Sequence, residues 1–499
     1  MRVYTTSLWL PALSGILLSL TLPYIGLWPL VWIALVPLFA FASNSAETPS
    51  RIAWGTLFFW TIYAMAVIYP LTRIAGWWWG GTSDYLGETG GHIIYALTVG
   101  TIGILTGLFF VPLMFLVRYV RNKTYGVLLI ALLWLVVEYF RSTIVLFGFS
   151  YGVLGYTLID TQYLKHIASL EIPHVIGGVY LLSFLIVLAN FAILEVGELV
   201  AFQSGPLYLR VQNAFSIMWR ESKRYSGSYL FVGVFLCVLL FGLSRAFIHS
   251  TGKSIRVAVI ASLIPTDESI SEKAYRDYRI KMLLALAHEP DLIVLPENTF
   301  PYFELNEADG TLVHDSLIQF PDRAEHYADL ITLLHEHPKT EVVVGLHTMG
   351  SDHAWYNSIV YYKNGVPVDF YHKRRLVPFA EYVPLGISLW LPERFISGKN
   401  EQSIPVRGFE TGALLCSEIG DTSLSLPQHS LILSPSNDSV FTGNTASKVH
   451  HQMARMRALE SHSYVLRASK GGISSIIDPT GEVLMSSADG VLTADIIVE

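Results

Sequence analysis

Long apolar runs fill the first half of the chain, whereas short runs that alternate with turns fill the second half. Crossing the hydrocarbon core of a bilayer takes about 20 mostly apolar residues. Runs of about this length recur through the first 250 residues. They predict a multi-pass α-helical membrane bundle of about seven helices, near residues 7–23, 25–43, 53–76, 93–117, 124–140, 173–194 and 228–247.

Two of these predicted helices contain residues that interrupt a regular helix. The second carries Pro29 and Pro37, and the sixth carries Gly177 and Gly178. Such residues are tolerated in a membrane where neighbouring helices satisfy the backbone. The first run would also suit a signal peptide. However, no small-residue cleavage site follows it and the second run begins almost at once, which favours an uncleaved helix.

The basic residues of the short loops indicate the orientation, because Lys and Arg collect on the cytoplasmic side of a membrane. The basic residues that the pattern assigns to one face are Arg2, Arg51, Arg118, Arg121, Lys123, Arg210, Arg220, Lys223 and Arg224. The opposite loop from Trp77 to Gly91 has no Lys or Arg. With the amino terminus inside, seven crossings place residues after about 250 on the periplasmic side.

The second half predicts a layered α/β domain, since strand-like and helix-like patterns are mixed along it. Helical spacing connects Val449, Met453, Met456 and Leu459. We therefore divide the chain into a transmembrane helical domain, 1–250, and an extracytoplasmic catalytic domain, 251–499. Predicted strands lie at 255–260, 292–295, 341–345, 356–362, 367–372, 411–416, 430–434, 473–477 and 491–498.

Composition agrees with a membrane protein and excludes one class of partner. Charged residues make up 15% of the chain and hydrophobic residues 52%, with a mean hydropathy of +0.45. Soluble domains have about 25% charged residues. Residues 251–499 contain 20 Lys and Arg against 31 Asp and Glu. An acidic soluble half does not suit nucleic acid, which requires a basic surface.

Three side chains of the second half carry candidate chemistry. Cys416 and Glu297 each follow an apolar strand, and Lys373 lies in a basic cluster. Taken singly, each has an ordinary alternative: a small buried hydrophobe, a solvated turn carboxylate and a solvated or lipid-binding face. Together they supply an attacking sulfur, a base for its proton and a cation for a developing oxyanion. The chain has one other cysteine, Cys237, so no disulfide framework is indicated.

The order and sequence context of these residues resemble the nitrilase superfamily. The contexts are Leu295-Pro296-Glu297, the segment from Tyr371 to Pro384 and Leu415-Cys416-Ser417-Glu418. Two further segments, 27–37 and 452–460, resemble the membrane branch of that superfamily, the apolipoprotein N-acyltransferases. The resemblance covers nearly the whole chain.

The resemblance implies an α-β-β-α sandwich in which Glu297 is the general base, Lys373 the oxyanion stabiliser and Cys416 the nucleophile. It implies that Glu381 and Glu418 support the site, and we expect Tyr382 near the substrate. Ser417 and the segment 436–441 depart from the family, which usually has aromatic residues there. The family also commonly ends with an eighth membrane helix, for which this chain has no apolar run.

The resemblance further implies an enzyme of the bacterial inner membrane that requires no metal or organic cofactor. Its acyl donor would be a phospholipid and its acceptor the terminal amino group of a diacylglyceryl-cysteine lipoprotein. The tryptophans Trp77, Trp78 and Trp79 suit either a lipid gate or simple anchoring at the interface.

Two alternatives remain open from sequence. The first is a membrane-tethered amidase of the same superfamily, which uses water as acceptor on small amides. The second is a transporter or an inactive scaffold. Few buried charges in the predicted helices argue against transport, since only Glu138 and Arg141 form a candidate pair.

Overall fold

The structure is a computed structural model of the 499-residue chain. The residues that it describes are 8–69, 83–123, 125–143, 150–161, 165, 171–172, 176–201, 203–221, scattered positions from 225 to 240, 252–264, 271–313, 322–377, 381–382, 395–399, 403–424, 431–441 and 445–498. Two compact units make up the chain, one within the first half and one that contains every element from Lys253 onward. The predicted boundary at residue 250 lies outside the described residues.

Apolar helices form the described part of the first unit. They are α1 (Trp9–Ser19), α2 (Val31–Ala34), α3 (Val36–Ser43), α4 (Pro49–Ile68), α5 (Ser83–Val120), α6 (Gly126–Thr143) and α7 (Val179–Ala201). Among the described residues, four helical segments are long and apolar enough to cross a membrane: Pro49–Ile68, Ala96–Val120, Gly126–Thr143 and Val179–Ala201.

The predicted count of seven spanning helices is therefore not confirmed. α1 has 11 residues, which at 1.5 Å per residue reach only about 16 Å. The predicted second helix is divided into a 3₁₀ turn at Trp28–Leu30 followed by α2 and α3. Most of the predicted seventh helix, 228–247, lies outside the described residues.

A single asparagine on α7 satisfies the break between α2 and α3. The amide oxygen of Asn190 accepts the N–H of Leu35 at 2.8 Å, and its amide nitrogen donates to the carbonyl of Val31 at 2.9 Å. Pro37 lies at the second position of α3, where a missing N–H costs nothing. The interruption expected from the prolines is real, and its polar groups are paired with a neighbouring helix.

The predicted sixth helix begins later than its apolar run. Residues 171–172 pair antiparallel with residues 176–177, and Gly178 takes a φ of +61° that favours glycine. The helix α7 then starts at Val179. The segment after it, which we expected to be a loop, forms the helix α8 (Leu207–Arg220). It has 14 residues and is amphipathic rather than apolar all round, so it is not one of the described helices that could span a membrane.

The candidate charged pair of the membrane half lies buried on α6. The carboxylate of Glu138 accepts the N–H of Leu154 at 3.0 Å, and Nη1 of Arg141 donates to the carbonyl of Tyr151 at 3.3 Å. Both side chains thus satisfy backbone groups of the 150–158 segment, which contains no α-helix. Their contacts are those of a structural pair.

Strands and helices alternate in the second unit. The strands are β1 (Lys253–Ala261), β2 (Leu292–Val294), β3 (Glu304–Asn306), β4 (Glu341–Met349), β5 (Trp355–Lys363), β6 (Val366–His372), β7 (Ile404–Val406), β8 (Phe409–Ala413), β9 (Leu431–Asn437), β10 (Tyr464–Lys470), β11 (Ser474–Ile477), β12 (Val483–Ser487) and β13 (Gly490–Val498). The helices are α9 (Glu272–Leu286), α10 (Arg323–Glu336) and α11 (Thr445–Ser461).

These strands form two sheets, each with parallel strands in the middle. The first has the order β13-β1-β2-β4-β5-β6, with β3 also paired to β4. The second has the order β12-β11-β10-β9-β8-β7. Parallel pairing joins β1 to β2 and β2 to β4 in one sheet, and β8 to β9 and β9 to β10 in the other.

The two sheets pack face to face with helices outside them. On β1, Val257 and Val259 point into the layer between the sheets, whereas Ala258 and Ile260 point toward α9 and α10. This period of two is the pattern of a strand buried on both faces. α11 packs against β10 and β11 of the second sheet. The layer order is that of an α-β-β-α sandwich.

Each of the nine predicted strands overlaps an observed strand of the second unit, and four of the strands described in that unit were missed. The missed strands are β3, β7, β10 and β12. β10 is central to its sheet, yet its sequence includes Arg467 and Lys470, both fully buried. Charged residues inside a strand hide the apolar pattern on which sequence-based prediction depends.

Truncating Leu433 to alanine should destabilise the second unit. Leu433 is fully buried in the layer between the sheets, and the cavity left by such a change costs about 2–5 kcal/mol. Thermal unfolding of the purified full chain in detergent measures the loss. Leu484→Ala, at a position with 47% exposure, is the matched control. Equal unfolding midpoints for the two variants would contradict this packing.

Candidate active site

The three candidate side chains follow three strands of the two sheets. Glu297 follows β2, Lys373 directly follows β6 and Cys416 follows β8. All are buried, with relative exposures of 6%, 1% and 8%. Glu297 and the ionised form of Cys416 both favour the charged Lys373 ammonium. The structure thus brings the three groups into one buried site.

A close backbone contact fixes the turn that carries Glu297. The N–H of Gly345 donates to the carbonyl of Pro296 at 3.1 Å, and a β-carbon at Gly345 would lie 2.4 Å from the α-carbon of Glu297. Only glycine fits this approach of β4 to the turn. On the other side, the N–H of Glu297 donates to the carbonyl of Ser436 at 3.4 Å. The turn that carries Glu297 is therefore hydrogen-bonded to the backbone of both sheets.

Asn357 on β5 connects two carboxylates of the site. Its amide nitrogen donates to Glu297 at 2.8 Å and to Glu381 at 2.7 Å. The backbone carbonyl of Asn357 also accepts the N–H of Lys373 at 2.9 Å. This side chain was not predicted from the sequence. The available signal was a polar Asn-Ser pair inside an otherwise aromatic and β-branched strand.

Lys373 forms a buried ion pair with Glu381. Its ammonium contacts both carboxylate oxygens of Glu381 at 2.9 Å. Burial disfavours the charged lysine, but Glu381, Glu297 and Cys416 together raise the pKa of Lys373 above its ordinary value. The Glu381 oxygen that Asn357 does not contact also accepts the N–H of Val377 at 2.6 Å. Lys373 is thus a fixed positive charge inside the site.

Cys416 lies on a strained turn. Its φ is +54°, a left-handed conformation that is uncommon for residues other than glycine. β8 ends at Ala413 rather than at the predicted residue 416, and Cys416 begins a 3₁₀ turn. Burial and the charge of Glu297 raise the pKa of the Cys416 thiol, while the charge of Lys373 opposes them. The resting thiol is protonated and needs a base before it can attack.

Glu418 joins the Lys373 segment to the Cys416 turn. One carboxylate oxygen accepts the N–H groups of Arg374 and Arg375 at 2.7 and 3.0 Å. The other accepts the Tyr371 hydroxyl and the Leu415 N–H, both at 2.8 Å. Burial raises the pKa of Glu418, but its backbone N–H partners only donate, so the geometry fits the ionised carboxylate.

The remaining predicted positions contribute less. Tyr382 is half-buried, and burial raises the pKa of its hydroxyl while Arg375 opposes that shift. Trp77, Trp78 and Trp79 lie outside the described residues. Asp438, in the segment that departs from the family, is buried between His450 and Arg467 at 3.0 and 2.7 Å. No group of three or more metal-binding side chains occurs within the described part of the chain.

This arrangement combines a nucleophile, a carboxylate and a cation in one buried site. A thiol so placed attacks a carbonyl carbon once its proton is removed, and a nearby ammonium stabilises the oxyanion that results. The charge of the site changes little during that step, because the proton passes from sulfur to a carboxylate beside it.

Two family models match the chain, one for each half. Residues 14–192 match the apolipoprotein N-acyltransferase N-terminal domain, and residues 259–499 match the carbon-nitrogen hydrolase family.

The most similar relatives include proteins named apolipoprotein N-acyltransferase. The protein of Geobacter metallireducens is 28% identical and the alignment covers 94% of this chain and 85% of the relative. The protein of Pseudomonas syringae pv. tomato is 27% identical over 97% of this chain and 89% of its own length. That of Pseudomonas aeruginosa strain LESB58 is 29% identical over 85% and 81%. These alignments include both halves of the chain.

Glu418→Gln should loosen the site without removing a nucleophile, base or cation. An amide nitrogen cannot accept the two hydrogen bonds made to one of the carboxylate oxygens, and each buried donor left unsatisfied costs about 1–3 kcal/mol. We expect a lower thermal midpoint and a changed rate of Cys416 alkylation by iodoacetamide. Glu325→Gln, on the exposed face of α10, is the control. Wild-type values for Glu418→Gln would refute the linking role of this carboxylate.

Proposed function

Because the chain belongs to the apolipoprotein N-acyltransferase family of carbon-nitrogen hydrolases, we propose that it N-acylates lipoproteins. The acyl chain comes from a phospholipid, and the acceptor is the terminal amino group of a diacylglyceryl-cysteine. The observation that carries this proposal is the protonated, strained Cys416 buried with Glu297 and Lys373 in a chain that also has apolar spanning helices. Lipid substrates explain why such a site belongs to a membrane protein.

In the first half-reaction, Glu297 accepts the thiol proton and the sulfur of Cys416 attacks the ester carbonyl of the phospholipid. Lys373 stabilises the tetrahedral oxyanion. The C–O bond then breaks, Glu297 returns the proton to the departing alkoxide, and a lysophospholipid leaves. The acyl chain remains on Cys416 as a thioester.

In the second half-reaction, the neutral amino group of the lipoprotein attacks the thioester carbonyl. Glu297 takes a proton from the attacking nitrogen, and Lys373 again stabilises the oxyanion. The C–S bond breaks, and Glu297 gives the proton that it took from nitrogen to the departing sulfur, which restores the resting thiol and the carboxylate. Glu381 and Asn357 position Lys373 and Glu297 through their direct contacts.

The membrane arrangement is part of the same proposal. Seven spanning helices in residues 1–250 would place the catalytic domain, 251–499, on the periplasmic side of the bacterial inner membrane. The one-sided distribution of Lys and Arg in the loops supports this orientation. Tyr382, which follows the ion-paired Glu381, would then lie where substrate enters.

Purified enzyme should acylate a diacylated lipopeptide with a free amino terminus when it is supplied with phospholipid. Mass spectrometry of the peptide measures the gain of one acyl chain. An amino-terminally acetylated peptide is the control and should gain none. Release of free fatty acid alone, or hydrolysis of small amides without peptide acylation, would favour the amidase alternative.

Cys416→Ala should abolish this transfer while the thermal midpoint stays close to that of the wild type. Cys237→Ala, at the other cysteine of the chain, should retain it. Near-normal acylation by Cys416→Ala would remove the nucleophile assignment.

Glu297→Gln and Lys373→Ala should each slow transfer by orders of magnitude. Loss of a general base costs about 10²–10⁴-fold and loss of an oxyanion donor about 10²–10³-fold. Single-turnover acylation of Cys416 isolates the step that both variants affect. Rates within a few-fold of the wild type would contradict these roles.

A further inference from the structure

The buried charges of the site are not all paired with one another. Glu381 has Lys373 as its ion-pair partner, and Glu418 is held by the four donors described above. Lys373 also acts on Glu297 electrostatically, but the described side-chain hydrogen bond to the Glu297 carboxylate comes from the neutral amide of Asn357. A buried carboxylate is costly unless a positive charge compensates it. If Glu297 takes a proton from sulfur, its ionised form has to be stable before the reaction begins.

A second buried lysine contacts the turn that carries Glu297. Lys470 is the last residue of β10 and is 1% exposed. The side chains of Leu466 and Ala468 on this strand point into the layer between the sheets, so the strand period directs Lys470 toward the same layer. Its ammonium donates to the carbonyl of Asn298 at 3.1 Å. Asn298 directly follows Glu297 and has a φ of +50°.

Lys470 carries a charge that acts on Glu297. Burial lowers the pKa of Lys470 to about 8, and the negative charge of Glu297 opposes that shift. The lysine is therefore mostly protonated at neutral pH. Within the described residues, Ser262, which follows β1, and Asn437 of β9 lie beside Lys470 in the strand register, and neither of them titrates. Asp438 is engaged with Arg467 and His450.

We propose that Lys470 is a positioning residue for the general base. Its ammonium supplies the positive charge that stabilises ionised Glu297, and its hydrogen bond to Asn298 holds the turn that carries this carboxylate. The site then contains two buried cations with separate tasks: Lys373 stabilises the oxyanion, and Lys470 keeps the base ready to accept the thiol proton. This inference rests on the base role proposed for Glu297.

The test separates the charge of Lys470 from its hydrogen bond. Lys470→Gln keeps a donor and removes the charge, Lys470→Met removes both, and Lys470→Arg keeps both. The full chain is purified in detergent with Cys237→Ala, so that iodoacetamide reports on Cys416 alone. The measurement is the alkylation rate of Cys416 from pH 4 to 9, together with the thermal midpoint of each variant.

The acidic limb is the part of the profile in which the alkylation rate falls as the pH is lowered. We expect this limb to move to higher pH by about one unit in Lys470→Gln and Lys470→Met, because an adjacent opposite charge lowers the pKa of a carboxylate by about 1–3 units and that charge is removed. Lys470→Arg should retain the wild-type limb. Lys281→Gln is the control, because Lys281 is also buried but is paired with Asp277 and Asp489. Its limb should not move.

This experiment distinguishes a failure of the proposal for Lys470 from a failure of the base role proposed for Glu297. A wild-type limb that disappears in Glu297→Gln but stays unmoved in folded Lys470→Gln and Lys470→Met would overturn the role of Lys470 alone. A shift in Lys470→Met but not in Lys470→Gln would assign the effect to the hydrogen bond and also overturn the charge role. A wild-type profile with no acidic limb would overturn the base role of Glu297, and the inference about Lys470 with it.

Discussion

The candidate site depends on one carboxylate, Glu418, to which the proposed reaction assigns no proton transfer. Glu418 accepts hydrogen bonds from the segment after β6 and from the residue before Cys416. These two segments belong to different sheets, so the same side chain sets where the ammonium of Lys373 and the sulfur of Cys416 lie. A left-handed φ at Cys416 is unfavourable by itself and persists because surrounding contacts impose it. The rest of the site is arranged around this fixed turn.

Burial then determines how the charged groups are used. Burial disfavours ionisation of the Cys416 thiol, and Glu297 and Lys373 are the groups whose charges act on it. In the proposed reaction, the same burial limits the access of water to the thioester and so favours transfer to an amine over hydrolysis. The arrangement therefore suits an enzyme that holds a lipid chain between two half-reactions.

Much of the site was predictable because its main residues follow strands. Glu297 and Cys416 each stand at the end of an apolar run, Lys373 lies in a basic cluster after a predicted strand, and a resemblance over nearly the whole chain connects them. Asn357 and Lys470 were missed because they belong to strands, where a polar residue interrupts the apolar pattern from which strands are predicted. Their roles depend on which distant segments pair as strands, and the local periodicity of the sequence gives no information about that pairing.

In the membrane half, Pro37 signals the helix break, but its partner Asn190 is known only from the fold. The count of spanning helices was set by run length alone, and α1 is shorter than its run.

The central claim is that Cys416 carries the acyl chain, and the mass of the enzyme after incubation with phospholipid alone tests it most directly. The account predicts a mass increase of one acyl chain on the peptide containing Cys416, and removal of that chain by neutral hydroxylamine. It also predicts that a diacylated lipopeptide added afterwards discharges the adduct as the amide. An unmodified enzyme that still acylates lipopeptide, or an adduct that persists in Cys416→Ala, would contradict it.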